Sequence, residues 1–476
     1  MRKRFCAFIC AVTMMVPQFN IYVLADGSQA KVSAEVLVVN PKLKLGSKKN
    51  VPTKSEFKKI NKKVAKGKKA KITSKKIKTE EKLFTTGFKS NFVTVSPVSD
   101  FIDYKGNYSF AFNDEKKLYI KRLSDKLKVV KTIKTKMRYK LLGGVVADNL
   151  GYYYVAWGNA DEKGTGTVTT FAVSKYDYNG NYVGECPVKM TDAFTSTQIP
   201  FSAGNCAMTI VDKTLVCSYA KMMFNGKQSN EVVCVNTDTM ERVANYYSYT
   251  SNSFDQRVLG TNDGKVIFAD LGDTDSRGFN ITYSEMVGDK LCYNKYVPFH
   301  FFGKAGDNYT NALLGGVAET KDGIVFVGAS AKSISSSVYS QEPQLFMMLL
   351  DSKTGAVKSK GKTRKGTSAN KSVKDKGIKW LTNYGKKKGV NLCKVTAIEG
   401  DNILVMWETN KNYIYSDSYY MIVTPKGKVV QKPTSLGKHR LNGNEEIVYK
   451  DGCIYWVAGN GTGKVTVNKM KLGAVK

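Results

Sequence analysis

Histidine is nearly absent from this 476-residue sequence, which contains only His300 and His439. A Ser-His-Asp triad would need one of them, and the GxSxG turn that often presents a nucleophilic serine does not occur. The HExxH pattern of many zinc hydrolases is also missing. The sequence therefore predicts no metal site and no cofactor, and the catalytic chemistry that stays open is chemistry by carboxylates.

Cysteine is sparse as well: there are nine, and Cys6 and Cys10 lie in the N-terminal segment. The other seven are scattered and form no CxxC pair, so neither a disulfide framework nor a metal knuckle is predicted. Most lie in apolar segments, where a free cysteine packs as a small hydrophobic residue. One disulfide, between Cys206 and Cys217, stays open as an alternative because the two can face each other across a hairpin.

Long hydrophobic runs are missing beyond the N-terminus. There, Arg2, Lys3 and Arg4 precede an apolar run from Phe5 to Val16, and small residues follow up to Ala25. This order is typical of a cleavable secretory signal peptide, here residues 1–25. The run is shorter than the ~20 apolar residues that span a bilayer. We therefore expect an exported protein without a transmembrane segment.

Acidic residues are in short supply, with 40 Asp and Glu against 74 Lys and Arg, a formal net charge of +34. Residues 41–82 hold 17 Lys and three Glu, and a second basic run, residues 353–388, holds 13 Lys or Arg and one Asp. Such blocks stay solvated. Residues 26–82 are therefore predicted to be a disordered, flexible linker, and deletion of 42–82 is expected to leave melting unchanged. The second run is assigned to loops of the folded domain.

The basic linker predicts attraction to an anionic cell-surface polymer. A solvated spacer without a partner is the alternative. Nucleic acid is disfavoured as a partner, because Phe57 is the only aromatic residue of the linker that could stack on bases.

An internal repeat is the strongest pattern in the chain. The segment LLGGVVADNLGYYYVAWGN from Leu141 matches LLGGVAETKDGIVFVGASA from Leu313 at an offset of 172 residues. The match predicts that Val155 and Val327 are buried at equivalent positions. Seven turns, each followed by an apolar β-rich segment, occur at a mean spacing close to one third of that offset. They lie at Gly106, Gly151, Lys213, Gly264, Gly323, Gly400 and Gly452.

These units predict an all-β fold, a β-propeller of seven four-stranded blades over residues 83–476. No helical periodicity is found in this range. A propeller must close its ring to avoid unpaired edges, so the segment near Phe92 is expected to pair with the strand near Val465. Six or eight blades, or two β-sandwiches in tandem, are the alternatives.

Two groups of residues are candidates for ligand binding. Trp157, Trp407 and Trp456 lie near the ends of the second strands, where aromatic rings could form a rim that stacks on sugars. Packing between blades is the alternative, since tryptophan is usually buried. Long polar loops on the same face also favour binding there.

The second group follows the strand that begins at Val266. It comprises Asp270, Asp273, Asp275 and Arg277, with Asp307 further along. Spaced carboxylates can ligate Ca²⁺, but Arg277 occupies a ligand position and no bidentate Glu follows, so a salt-bridged polar loop is the better interpretation.

Three short motifs carry a family resemblance: LLGGV preceded by DNYTN (Asp307 to Asn311), SFxQ (Ser253 to Gln256) and GDTDSRG. Together they resemble secreted β-propeller-like repeat domains of Gram-positive bacteria, which have no assigned activity. The resemblance implies the propeller fold and secretion, and it implies nothing about catalysis.

The residues favour a secreted, non-catalytic protein whose propeller face binds a polysaccharide or a protein. The alternative is a propeller glycoside hydrolase or polysaccharide lyase with paired carboxylates in the central funnel. For that role the candidates are Asp255, Asp270, Asp273 and Asp307. Three or more carboxylates converging in the funnel would favour the enzyme, and an apolar funnel would favour the binder.

Overall fold

The computed structural model describes residues 21–25, 28–32, 71–78, 96, 98–192, 196–223, 225–274, 276–336, 340–385, 388–412, 414–459 and 464–473. Residues Ile21–Ala25 and Ser28–Val32 form an antiparallel hairpin. The rest of the predicted signal peptide and most of the predicted linker lie outside the described residues. No helix among the described residues is long and apolar enough to cross a membrane.

The predicted all-β fold with seven blades is confirmed. Each blade is an antiparallel sheet, and from blade 1 to blade 7 the first strands of successive blades contact one another around the central axis. The second strand of blade 7 contacts the first strand of blade 1. Blade 1 consists of the strands Val98–Ile102, Tyr108–Asn113, Lys117–Leu123 and Val129–Lys136. Blade 2 consists of Leu141–Ala147, Tyr152–Gly158, Thr169–Asp177 and Tyr182–Lys189. Blade 3 consists of Cys206–Val211, Thr214–Met223, Gln228–Asn236 and Arg242–Val243, with Thr197–Pro200 added beside the second strand.

In blades 4 and 5 the strands are Ser253–Gly260, Val266–Gly272, Gly278–Val287 and Lys290–His300; and Ala312–Thr320, Gly323–Ser330, Gln344–Leu350 and Lys371–Trp380, with Lys362–Ser368 as a fifth, outer strand. In blades 6 and 7 they are Lys388–Ile398, Asn402–Lys411, Ile414–Val423 and Val429–Gly437; and Val448–Lys450, Cys453–Gly459, Lys464–Lys471 and Ile72–Lys78. A 3₁₀ turn, Glu399–Asp401, precedes the second strand of blade 6.

All seven predicted turns connect the first and second strands of a blade. Each contains a residue with positive φ, a glycine in six blades and Asp212 in blade 3. Gly323 shows why: its φ is 137°, and a Cβ there would lie 2.1 Å from the carbonyl oxygen of Leu350. Only glycine fits such a position, so turns of this kind can be recognised from the sequence.

The ring closes through a different strand from the one expected. The strand Ile72–Lys78 pairs with Lys464–Lys471, and Ile77 lies opposite Val465. Phe92, the predicted partner, lies outside the described residues. The closing strand falls within the predicted linker 26–82, so the disordered interpretation is wrong for residues 72–78. An outermost strand needs few apolar residues and tolerates exposed lysines, which is why its composition resembled that of a linker.

The repeat match also needs a correction of register. Val155 and Val327 are both fully buried, as predicted. However, Val155 packs between blades 1 and 2, whereas Val327 packs between blades 5 and 6 and so faces the following blade. Val155 lies opposite Val145 in blade 2, whereas Val327 lies opposite Gly316 in blade 5, one residue earlier than the repeat match would place it. A shift of one residue turns every side chain of a strand to the opposite face.

The second basic run, residues 353–388, was assigned to loops, and for its central part this prediction is wrong. Lys362–Ser368 and Lys371–Trp380 pair as a hairpin at the outer edge of blade 5. Arg364 and Asp375 from this hairpin are buried together, and His300 Nδ1 lies 2.6 Å from Asp375 Oδ1. These contacts join the basic hairpin to blade 4, while most of its lysines stay on the surface.

Apolar side chains form seven clusters, one between each pair of neighbouring blades. This arrangement arises because the second and third strands of each blade are apolar along most of their length. Both faces of these strands pack against a neighbouring blade. Cys206 and Cys217 belong to the cluster between blades 2 and 3, where both are free thiols. The core therefore surrounds the axis, and the axis itself is lined by the first strands.

Candidate functional site

The three candidate tryptophans are core residues. Trp157 and Trp407 are 0% exposed and Trp456 is 1% exposed. Their indole nitrogens donate hydrogen bonds to Ser174 Oγ, Tyr384 Oη and the carbonyl oxygen of Arg440, over 2.9 to 3.0 Å. The expected aromatic rim is thus replaced by packing between blades, because the second strands on which these residues lie are covered by the adjacent blades.

The candidate residues that follow Val266 are mostly buried in blade 4. Asp270 lies 1% exposed in the second strand and accepts a hydrogen bond from Ser253 Oγ, and burial raises the pKa of Asp270 to about 7. Asp273 and Arg277 are 0% exposed and form an ion pair. Asp275 lies outside the described residues. None of the described members of this group reaches the axis, in contrast with Asp255.

The ion pair of Asp273 and Arg277 holds the loop of residues 301–311. The amide of Asn308 donates to Asp273 Oδ2 over 2.7 Å, and Arg277 donates to the carbonyl oxygens of Phe302 and Tyr309. Asp307 is partly exposed and lies 3.7 Å from Arg277. The salt-bridged interpretation describes this arrangement, and within the described residues no group of three or more His, Cys, Asp or Glu is placed to hold a metal ion.

Six ionisable side chains converge near the propeller axis, and we call them the axial cluster. They are Asp100 on blade 1, Asp255 and Arg257 on blade 4, Lys394 on blade 6, and Glu445 and Glu446 in the segment leading into blade 7. All except Lys394 line a cavity of about 140 Å³, which we call the axial cavity. Four carboxylates thus meet in the funnel. A convergence of three or more carboxylates is the arrangement expected for the enzyme and not for the non-catalytic binding protein.

Arg257 connects two of the carboxylates. Its guanidinium contacts Asp255, which lies two residues away and therefore on the same face of the strand. Its Nε lies 2.7 Å from Glu446 Oε1. The Arg257 and Asp255 side chains are 4% and 12% exposed, so this pair lies in a largely dry environment where removal of one partner is costly, whereas Glu446 is 43% exposed.

Asp100 and Glu445 form a second pair. The amide of Asp100 and Ser99 Oγ each donate to Glu445 Oε2 over 3.3 Å, and Tyr108 donates its hydroxyl to Asp100 Oδ2. Asp100 Oδ1 is buried and has no hydrogen-bond partner among the described residues. A buried carboxylate oxygen that has no hydrogen-bond partner and lies next to a cavity can accept a hydrogen bond from a donor group of a ligand.

The segment that carries Glu445 and Glu446 is tied to several blades. The carbonyl oxygen of Gly443 accepts hydrogen bonds from Arg257 over 3.0 Å and from Lys394 over 2.8 Å. Asn444 Nδ2 donates to Asn205 Oδ1 of the segment leading into blade 3 over 2.7 Å. These bonds fix both glutamates in position against the axis.

Burial controls the protonation of the axial cluster. It raises the pKa of Glu445 to about 7, and burial together with the charge of Glu445 raises the pKa of Asp100 well above its usual range. Burial also lowers the pKa of Lys394 to about 8. The pair of Asp100 and Glu445 therefore keeps a proton near neutral pH, which lets one site both donate and accept hydrogen bonds.

Of the axial cluster, only Asp255 was among the sequence candidates. The sequence did hold a usable pattern, because Asp100, Lys394 and Glu446 each lie six residues before a turn glycine, at Gly106, Gly400 and Gly452 respectively. In a ring of repeats, the same position of each unit points to the same level of the axis. Charged residues at that position therefore mark the axial lining.

No family model and no curated protein matches this chain. Among solved structures it is similar to a quinonprotein alcohol dehydrogenase-like protein from Bacteroides thetaiotaomicron, at 13% identity over 75% of this chain and 68% of that chain, with a TM-score of 0.40. It is also similar to prolyl oligopeptidase B from Galerina marginata, at 9% identity over 87% of this chain and 51% of that chain, with a TM-score of 0.45. A third structure, Trypanosoma rangeli sialidase, has 11% identity over 73% of this chain and 59% of that chain, with a TM-score of 0.36. The chain spans about half the length of the prolyl oligopeptidase, and the activities of these proteins do not transfer at such similarity.

Proposed function

We propose that this protein binds a polysaccharide at the axial end of its propeller, outside the cell that makes it. The observation that carries the proposal is the axial cavity, where Asp100 and Glu445 offer carboxyl groups beside Arg257. A concave site with a few convergent polar groups is the usual form of a ligand site. The guanidinium needs an acceptor and the ionised carboxyl groups need donors. Sugar hydroxyl groups both donate and accept hydrogen bonds and can therefore satisfy both kinds of group.

The second candidate function is hydrolysis or lysis of the same polysaccharide. It is favoured by the convergence of four carboxylates and by the pKa of Glu445, about 7, which leaves part of this group protonated at neutral pH. A general acid needs such a raised pKa, and its partner must be a second carboxyl group nearby. Asp100, whose amide donates to Glu445, is the second carboxyl group here, and because the two groups share a proton, one can act as the acid while the other is ionised.

One substitution tests both functions. Glu445→Gln keeps the shape of the side chain and removes its charge, so polysaccharide binding should weaken about tenfold or more. Glu241→Gln, on the exposed turn of blade 3, is the matched control and should bind normally. Binding would be measured by calorimetry, and release of reducing ends or of unsaturated sugars would report turnover.

Equal affinity of Glu445→Gln and the parent for every polysaccharide tested would refute the axial binding site. Polysaccharide binding without any released product would leave the protein as a binder. Capture of a protein ligand that Glu445→Gln does not affect would place protein recognition on another surface.

We also propose that the lysine-rich N-terminal tract retains the exported protein at an anionic cell-surface polymer. The net charge of +34, the signal-peptide pattern and the resemblance to secreted repeat domains support this proposal. The closing strand adds exposed Lys71, Lys75 and Lys76 at the outer edge of blade 7. Attraction of this kind falls with ionic strength, because the Debye length shrinks from ~10 Å at 0.1 M to ~3 Å at 1 M.

A further inference from the structure

A second cavity, of about 310 Å³, lies between blades 4, 5 and 6, and we call it the entrance pocket. It is bordered by the beginnings of the first strands of these blades, by the loop of residues 301–311 and by residues 340–343. Asp255 lines both the entrance pocket and the axial cavity. The two cavities therefore share one lining residue, which is 9% exposed.

The chemistry of the entrance pocket differs from that of the axial cavity. Its lining is rich in side-chain amides, and no lysine or arginine occurs among the described residues that line it, although the chain as a whole is strongly basic. The amides are Asn308, Asn311, Gln341, Asn391 and Asn410. Asp255 and Glu342 add two carboxyl groups to the lining. Amide and carboxyl oxygens accept hydrogen bonds from hydroxyl groups, and carboxyl groups without a lysine or arginine beside them disfavour an anionic ligand, so the pocket suits a neutral, hydroxyl-bearing group.

Apolar groups complete the entrance pocket. Phe254 and Leu271, 3% and 5% exposed, contribute to its lining, and the ring of Tyr309, 48% exposed, borders it. A tyrosine ring combines an apolar face with a polar tip, and a sugar ring presents the complementary combination of C–H face and hydroxyl rim. Tyr309 is thus placed to stack on a pyranose.

The pocket is built in advance of any ligand. The buried pair of Asp273 and Arg277 fixes Asn308 and Tyr309 through their backbone atoms. Asn311 Nδ2 donates to the carbonyl oxygen of Gln341 over 2.8 Å, which links the loop of residues 301–311 to residues 340–343. Preformed geometry lowers the entropy that a ligand must lose on binding.

We infer that the entrance pocket is a second subsite, for a neutral sugar unit of the same chain whose neighbouring unit occupies the axial cavity. This inference rests on the proposed function and deepens it, because it makes the ligand a linear saccharide of at least two units. Asp273 and Arg277 then act as positioning residues, since they hold the lining loop without touching the sugar.

The test compares affinities across ligand length. The probes are linear oligosaccharides of glucose and of N-acetylglucosamine, one to six units long, measured by calorimetry. Tyr309→Ala and Asn391→Ala should each weaken binding of oligomers of two or more units by about tenfold and leave monosaccharide binding unchanged. Tyr182→Ala is the matched control, since Tyr182 is 49% exposed on the outer strand of blade 2, and it should change neither. Glu445→Gln should weaken binding at every length.

The outcomes separate the two claims. If Glu445→Gln weakens binding at every length while Tyr309→Ala and Asn391→Ala change no affinity, or change all lengths equally, the axial site stands and the second subsite is refuted. If the entrance-pocket variants lose only the longer oligomers while Glu445→Gln binds normally, the entrance pocket stands and the axial assignment is wrong. Absence of binding by the parent protein to every probe overturns both. Melting curves of each variant check that the fold is retained.

Discussion

Closure of the propeller by residues 72–78 predicts that a short lysine-rich segment controls the stability of the whole ring. Ile77 is 6% exposed and packs in the cluster between blades 7 and 1. Replacement of a buried Ile by Ala costs about 2 to 4 kcal/mol through lost burial and the cavity left behind. Ile77→Ala should therefore lower the free energy of unfolding by about that amount. Lys76→Ala, on an exposed neighbour, should change it by less than about 0.5 kcal/mol.

Truncation extends the same test. A chain beginning at residue 71 keeps the closing strand, whereas a chain beginning at residue 79 loses it and leaves Lys464–Lys471 as an unpaired edge. The shorter chain should unfold at clearly lower urea concentration or should aggregate through the open edge. Tryptophan fluorescence gives the readout, because Trp456 is buried between blades 6 and 7.

Coincident urea transitions of the two truncated chains would refute the closing role of residues 72–78. They would restore the sequence expectation that the whole tract 42–82 can be removed without effect on melting. A lower stability of the chain beginning at residue 79, together with a normal Lys76→Ala, would exclude a simple effect of lost positive charge.

Three further predictions follow from the core, the buried acids and the charge. Val155→Ala and Val327→Ala should each cost about 1 to 3 kcal/mol in urea unfolding, and the double variant should show their sum within about 0.5 kcal/mol, because the two lie in separate cores. Because burial raises the pKa of Asp270 to about 7 in the folded protein, stability should fall as pH rises from about 4 to 7. Asp270→Asn should flatten this decline, whereas Asp125→Asn, on an exposed turn of blade 1, should not; equal pH profiles would contradict the burial argument. Retention on an anionic polymer column should fall steeply between 0.1 and 1 M salt, and retention unchanged by salt would assign it to the propeller face.

The candidate site was only partly predictable. Asp255 was singled out for its charge and lies at the axis, but Asp100 and Glu445 are separated by more than 300 residues and meet only through closure of the ring. Of the three tryptophans expected near strand ends, Trp157 lies one residue from the end of its strand, whereas Trp407 and Trp456 lie in the middle of theirs, and all three are covered by the neighbouring blade. Asp273 and Arg277 were correctly interpreted as a salt-bridged loop, and what they position became visible only with Tyr309 in place.

The sequence by itself determined the number of blades and their turns. Turn formation depends on a few adjacent residues, such as a glycine at positive φ between two apolar segments, and that chemistry is local. Tertiary structure alone decided which strand closes the ring, which face each valine presents and which charges meet at the axis. Strand pairing over long sequence distances depends on complementarity with a partner strand, and a one-residue shift of the pairing register turns every side chain to the opposite face. A lysine-rich segment such as residues 72–78 becomes a strand only because Lys464–Lys471 offers it an edge.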